Sequence, residues 1–300
     1  MPVKIVTDST SDLKPQIASD LGITVVPLYI NFGTKSYRDG VDLTTKEFYQ
    51  KLASSKTLPT TAVPGPAAFA QVYDKLAQET DEIVVISLSS KLSSAHEMES
   101  QATGIMRKKC RIEIIDSKAG CMALGLIAIA AAKAANAGAK IEDVLNLTRR
   151  NIYRSKIYFS FDTLEYLKRS GRVSAAQAFL GSMLKVNPIM TLEEGEGRPV
   201  ARPRSRARAI EFLYKFATSF SNIEEMAIED ATTPDEADML AERISSRFPK
   251  ERIYRTKVSP VVGTHVGPHV LAVSVLGIGV STGKSSHLDT SKHTLPFMSI

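Results

Sequence analysis

The sequence predicts a protein of two α/β domains, the first with a mostly parallel sheet flanked by helices. Short β-branched runs alternate with amphipathic stretches along the chain, the pattern of parallel strands covered by crossover helices. A length of 300 residues exceeds one ordinary core and falls short of three. Hydrophobic residues at 43% and charged residues at 23% are the usage of a globular chain, which excludes disordered, collagenous and miniprotein classes.

In chain order, the first domain is expected over 1–155. Strands are predicted at 4–7, 24–32, 82–88 and 111–115, where β-branched residues cluster between turn signals. Helices are predicted at 12–20, 45–54, 66–78, 94–107, 122–137 and 141–154. Pro66 sits where a first helical residue belongs, and Gly138 where a helix stops. The second domain is expected over 156–280. Its predicted strands are 157–161, 188–193, 198–204, 226–229, 252–258 and 270–278, and its helices 164–169, 175–184, 206–220 and 234–248. Residues 281–300 turn polar and Ser-rich, as a tail would.

The balance of 38 Lys and Arg against 32 Asp and Glu leaves +6, too little to argue for nucleic acid, and no aromatic residues interleave with the arginines. Tryptophan is absent, so any pocket is built from aliphatic, Met and Phe side chains. The two cysteines, Cys110 and Cys121, exclude the common zinc ribbons and disulfide frameworks, and a reduced, cytoplasmic setting is expected. No charged and then apolar leader opens the sequence. The most apolar stretch, 121–132, is too short to cross a bilayer.

Ligands in open α/β sheets bind beyond the carboxyl ends of the strands. Asp8-Ser9-Thr10, Asp116-Ser117 and the run Ser87, Ser89, Ser90, Ser93 and Ser94 stand at such ends. Each is also a helix-capping type. The serine run exceeds what one cap needs, and the helix start that follows it suits an anion. Hydroxyls stand where a phosphate loop carries glycines, so a carboxylate fits at least as well. Gly277 to Ser285 approximates a phosphate-binding loop with the wrong spacing.

Thr60 to Pro66 reads as a stiff loop presenting a hydroxyl, and Gly263 to Pro268 as a Gly/Pro loop carrying His265. Gly267-Pro268 forbids the helix that would align His265 and His269 as a metal pair. Arg202, Arg204, Arg206 and Arg208 alternate, so the first of them share a face if extended. Lys168, Arg169 and Arg172 form a second basic cluster. Both suit either a solvated face or the docking of an acidic or phosphorylated partner.

In this order the motifs resemble the DegV family, which includes the fatty-acid-binding subunit of bacterial fatty acid kinase. They are Lys4 to Thr10, Thr60-Thr61 before Pro64-Gly65-Pro66, Ile86 to Ser90 with Leu92-Ser93, Ile115-Asp116-Ser117, Asp162 to Lys168 with Gly171-Arg172, Lys185 to Ile189, and Gly263 to Pro268. The resemblance implies a non-catalytic protein without cofactor that buries a long-chain fatty acid between its domains. It presents the carboxylate to a kinase subunit with ATP, which forms an acyl phosphate for phospholipid synthesis. Thr61, Ser93 and His265 would then hold the carboxylate, with Ser94 as a further candidate. Lys168, Arg169, Arg172, Arg202 and Arg204 would dock the kinase. Candidate acyl-pocket residues are Phe159, Phe161, Leu164, Phe179, Leu180, Met183 and Ile189, with Met190 beside them. No nucleic acid, metal or transmembrane segment is expected, and transient membrane contact is allowed. Ser94, Val63 and His269 depart from the family pattern. The competing reading is a hydrolase or transferase on a small acyl or phosphorylated substrate, with Ser93 as nucleophile and His265 as base.

Overall fold

The computed structural model describes residues 2–172 and 186–279. In chain order these form β1 (Lys4–Asp8), α1 (Pro15–Leu21), β2 (Ile23–Val26), β3 (Tyr29–Phe32), β4 (Lys35–Arg38), α2 (Thr45–Ser54), β5 (Thr60–Ala62), α3 (Pro66–Leu76), β6 (Glu82–Ser87), α4 (Ala95–Thr103), β7 (Arg111–Asp116), α5 (Cys121–Asn136) and α6 (Ile141–Arg154). There follow β8 (Ser155–Ser160), α7 (Glu165–Arg169), β9 (Ile189–Glu193), β10 (Glu196–Ala201), α8 (Arg206–Ala217), β11 (Phe220–Asp230), α9 (Pro234–Ile244), β12 (Ile253–Lys257), α10 (Pro260–Val266) and β13 (Leu271–Gly279). The predicted helix 175–184, the pocket candidates Phe179, Leu180 and Met183, and the predicted tail lie outside the described residues.

The expected parallel sheet is present, with strand order β2-β1-β6-β7 and every pair parallel. The second sheet has the order β10-β9-β8-β13-β11-β12. It is antiparallel except between β11 and β12. A third, small antiparallel sheet, β4-β3-β5, was not expected. It arises because the strand predicted over 24–32 is two strands. Pro27 has no N–H for a ladder, and the next amide, Leu28 N, leaves the parallel sheet to donate to Ser9 Oγ at 3.2 Å.

Helix α5 joins the two large sheets. It packs on β1, β2 and β6 on one side and on β8, β11 and β13 on the other, so Met122, Leu124, Leu126, Ile127 and Ile129 are all fully buried. A helix that is apolar on all sides belongs inside a core, and this explains the apolar stretch over 121–132. Each such side chain contributes about 1.5–3 kcal/mol on burial. Gly125 permits the close approach, since a Cβ there would lie 2.5 Å from the Ser11 carbonyl oxygen. Among the described residues no helix is long and apolar enough to cross a membrane.

Two further expectations need correction. The helix predicted over 12–20 starts only at Pro15, because Ser9–Ser11 forms a short 3-10 turn and Asp12 takes a left-handed conformation at φ 53°. The arginines 202–208 do not form one extended face. β10 ends at Ala201, and Arg206 already lies in α8, where its guanidinium pairs with Glu236 at 2.7 Å and Asp162 at 3.3 Å.

Candidate functional site

The site begins with a helix, where the sequence reads as a loop. Ser259-Pro260 is a good helix start: the Ser259 hydroxyl accepts from Val262 N, and proline occupies the first position. Gly267, at φ 83°, stops the helix, so the proline at 268 acts one residue too late to prevent it. α10 therefore carries His265 in its last turn.

Residues of the first half fix this helix in place. Asp12 Oδ1 accepts from Ser259 N at 3.1 Å, and Asp39 Oδ2 from Val261 N at 3.3 Å. Tyr49 Oη donates to the Val258 carbonyl at 3.1 Å. Tyr49 belongs to α2, whose start is secured by a reciprocal capping box between Thr44 and Glu47. Gly263 seats α10 on α2, since a Cβ there would meet Tyr49 Oη at 2.5 Å and Phe48 Cε1 at 2.8 Å.

Opposite α10 lies β5, another element the sequence reading left as loop. Its pairing of Thr61 with Ile30 of β3 sets which way the strand's side chains alternate. Thr61 Oγ1 and His265 Nε2 consequently stand 2.9 Å apart, across 204 residues of sequence. The imidazole Nδ1 is buried with no partner. Burial, and secondarily the nearby Arg172 guanidinium, hold the His265 pKa down to about 4. The ring is therefore neutral at neutral pH, a hydrogen-bonding group and not a counter-ion.

Thr61 and His265 line a cavity of about 300 Å³ together with Ser93, Ser94 and Arg172. The remaining wall is mostly apolar, including Leu28, Val63, Leu88, Leu92, Phe159, Phe161, Leu167, Met190, Leu192, Val261, Val262 and Val266. Phe159 and Met190 sit opposite each other on β8 and β9 and present one surface. A mostly apolar recess with a few convergent polar groups is the usual form of a small-ligand site. A more open cleft, lined by Ser90, Lys91, His96 and Glu97 among others, shares Leu92, Ser93, Ser94, Arg172 and Gly197 with this cavity. The polar end of the cavity thus adjoins a polar surface recess.

The serine run divides in two. Ser93 and Ser94 reach the cavity, and Ser93 Oγ also accepts from Ala95 N at the start of α4 at 3.2 Å. Ser89 and Ser90 are committed elsewhere: Ser89 Oγ donates to the Gly195 carbonyl at 2.8 Å, and Ser90 Oγ to Asp116 Oδ2 at 2.6 Å. Ser87 is buried, and its hydroxyl has no hydrogen-bond partner among the described residues. Asp8 is likewise committed, accepting from Thr10 N at 2.8 Å and Leu88 N at 3.3 Å.

Leu164 and Ile189 are buried but do not line the cavity among the described residues. On β9 the cavity wall runs from Met190 through Leu192, and Ile189 lies just before it at the start of the strand. His269 is exposed beside Thr232, at 3.4 Å, and not at the cavity, whereas Val63 is in the wall. Arg172, expected only to dock a partner, also lines the cavity, with its Nη1 donating to the Ser170 carbonyl at 2.5 Å. Arg169 pairs with Glu165 on its own helix, and Lys168, Arg202 and Arg204 are exposed. The sequence does not point to the wall residues Leu28, Val261, Val262 and Val266: Leu28 falls at the break within the strand predicted over 24–32, and the segment that forms α10 reads as a loop. No hydrogen bond joins Ser93 to His265 among the described residues; the imidazole meets Thr61 instead, so the nucleophile-and-base pair of the competing reading is not assembled.

One cluster has spacing that invites comparison with a metal centre. Asp12, Cys121 and Glu229 are buried, with a donor atom of each within 4.8 Å of the others. That is three donors in a closed site, where structural zinc takes four.

The chain matches the profile of the DegV family, described as uncharacterised proteins, over residues 2–277. A DegV domain-containing protein of Streptomyces coelicolor is 34% identical over 277 residues, covering 91% of this chain and 98% of the relative. Protein DegV of Bacillus subtilis is 30% identical over 277 residues, with the same coverages. Among solved structures, a fatty-acid-binding DegV family protein from Thermus thermophilus superposes with a TM-score of 0.85 at 31% identity, covering 93% of this chain and 100% of that one. The Bacillus subtilis DegV structure, described as a fatty acid binding protein, gives 0.84 at 29% identity, covering 92% and 99%.

Proposed function

Because the chain belongs to the DegV family, we propose that it binds one long-chain fatty acid, with the carboxylate at Thr61, Ser93 and His265 and the acyl chain along the apolar wall. The observation that carries this reading is the Thr61–His265 contact at the polar end of an otherwise apolar cavity. A carboxylate only accepts hydrogen bonds. The Thr61 hydroxyl therefore turns its proton to the ligand and receives one from His265 Nε2–H, so the neutral ring is the Nε2-protonated tautomer. Arg172 supplies positive charge at the same end. At roughly 0.8 kcal/mol per buried methylene, a chain of about sixteen carbons gains on the order of 12 kcal/mol before ordering costs. Such a ligand survives purification. Mass spectrometry of an organic extract of the pure protein is expected to give fatty acid at close to one per chain; an extract without it, from protein that also fails to take up added fatty acid, would end the proposal.

The same reading extends to presentation of the carboxylate to a separate ATP-dependent kinase that forms an acyl phosphate for phospholipid synthesis. The support is the open cleft adjoining the polar end and the exposed Lys168, Arg202 and Arg204. Replacing Arg202 and Arg204 together with Glu is expected to leave fatty acid affinity within about twofold while slowing acyl phosphate formation with the kinase by tenfold or more, as charge reversal on a docking rim does. Unchanged coupled activity in that variant would remove the docking role.

A further inference from the structure

The chemistry described so far leaves the Asp12–Glu229 pair unused. Asp12 follows the turn after β1, and Glu229 lies on β11, 217 residues later in the chain. Each carboxyl commits one oxygen to ordinary donors. Asp12 Oδ1 accepts from Ser259 N at 3.1 Å; Glu229 Oε1 accepts from Met122 N and Ser274 Oγ, both at 3.0 Å. The second oxygens, Asp12 Oδ2 and Glu229 Oε2, are buried and have no donor. Asp12 is 5% and Glu229 0% exposed, and no ion pair reaches either among the described residues.

Two carboxylates cannot both remain charged in such a place, because an unpaired buried charge costs several kcal/mol and a second like charge adds to it. We propose that Asp12 and Glu229 share one proton between their free oxygens, forming a buried carboxyl–carboxylate bond that ties the parallel-sheet half to the second sheet beneath the ligand cavity. A proton completes this geometry better than a divalent ion does, since among the described residues Cys121 is the one further His, Cys, Asp or Glu side chain that joins the pair. The remaining charge faces the N-terminus of α5, a sixteen-residue helix whose first turn donates Met122 N.

The surroundings reinforce proton retention. Cys121 at the start of α5, Tyr49 of α2 and Asp39 after β4 all lie near enough to interact, and each is raised above its ordinary pKa, chiefly by burial. Asp8 adds negative charge behind Asp39. On the adjoining strand β12, Lys257 and Arg255 pair with Asp230, the neighbour of Glu229 on β11. Burial pushes Glu229 up to about 7, and burial together with the neighbouring Glu229 carboxyl holds Asp12 well above the ordinary carboxyl range. A raised carboxyl pKa means that the folded protein holds a proton the unfolded chain has released. Its stabilisation is complete below the unfolded pKa and declines as pH rises toward and through the folded value.

The bond is therefore a pH-sensitive latch, tight in mild acid and loosened in mild alkali. Urea unfolding of the full chain between about pH 5 and pH 8 tests it. Asp39, Asp8 and Glu99 also carry raised pKa values, and His265 a lowered one, so the comparison is with variants. In Glu229→Gln the amide N–H replaces the shared proton, and in Asp12→Asn the Asn side chain donates in the other direction. Either variant is expected to lose one proton's worth of pH dependence, so that the wild-type folding constant falls about tenfold more per pH unit than the variant's. If one variant fails to fold, the other decides. A slope equal to wild type in a folded variant would overturn the proposal, as would one equivalent of a divalent metal found by elemental analysis of the purified protein.

Discussion

Gly263→Val is expected to destabilise the protein by about 3 kcal/mol and to cost it most of its ligand affinity. The branched side chain would start 2.5 Å from Tyr49 Oη and 2.8 Å from Phe48 Cε1. Neither ring has space to withdraw: Phe48 is fully buried and Tyr49 is held by its bond to the Val258 carbonyl. Overpacking of this kind costs about 1–3 kcal/mol and occasionally more. Relief requires α10 to lift from α2, which carries His265 away from Thr61, so stability and affinity should fall together. Urea unfolding and fatty acid titration check this, and a variant with normal values for both would show that α10 is not seated as described.

His265→Leu separates binding from stability. Loss of the Nε2–H donor frees the Thr61 hydroxyl to turn away from the carboxylate, and since a neutral hydrogen bond contributes about 0.5–1.5 kcal/mol, fatty acid affinity should fall by roughly 2- to 10-fold. Stability at neutral pH should hold or rise slightly, because the unpartnered buried Nδ1 gives way to an apolar side chain of similar reach. The acid limb should also change. The folded-state pKa of about 4 lies below the ordinary 6.5, so the wild-type protein loses stability as pH falls from about 6.5 toward 4, by at most roughly 3 kcal/mol. The leucine variant lacks that loss. Equal acid sensitivity in the two proteins would mean that His265 is not held neutral by the fold.

These effects rest on positions that the sequence reveals unequally. Long elements with strong periodicity were legible: α2 and α6 begin and end where predicted, and the parallel sheet follows from β-branched runs that alternate with helices. The elements that build the site are the short ones. β5 is three residues and α10 seven, too brief for a periodic signal, and both are stabilised by partners far away in sequence, Ile30 for Thr61 and Asp39 and Tyr49 for α10. The Ser259-Pro260 start was nonetheless readable as a helix cap. The fold gathers Thr61, Ser93, Ser94 and His265 at one cavity, yet nothing in the spacing of the serines separates Ser93 and Ser94, which line it, from Ser89 and Ser90, whose hydroxyls go to Gly195 and Asp116. Arg172 shows the same limit, since charge in a sequence does not reveal whether a guanidinium faces solvent or the mouth of a cavity.

The Asp12–Glu229 pair lay beyond sequence reasoning for a related reason. Asp12 reads as a helix-capping type and Glu229 as the end of a strand. Only the packing of α5 between two sheets brings them together with Cys121.

The claim on which the account turns is that the polar end of the cavity recognises a carboxylate. Titration of lipid-stripped protein with palmitic acid and with its methyl ester at neutral pH tests it directly, because the two ligands share an acyl chain and differ only in the charged head. The acid is expected to bind at least about tenfold more tightly, the value of one charge-assisted hydrogen bond, and the difference should shrink in His265→Leu combined with Thr61→Val, where Ser93, Ser94 and Arg172 remain at that end. Equal affinity for acid and ester in the wild-type protein, or binding of neither, would contradict the account.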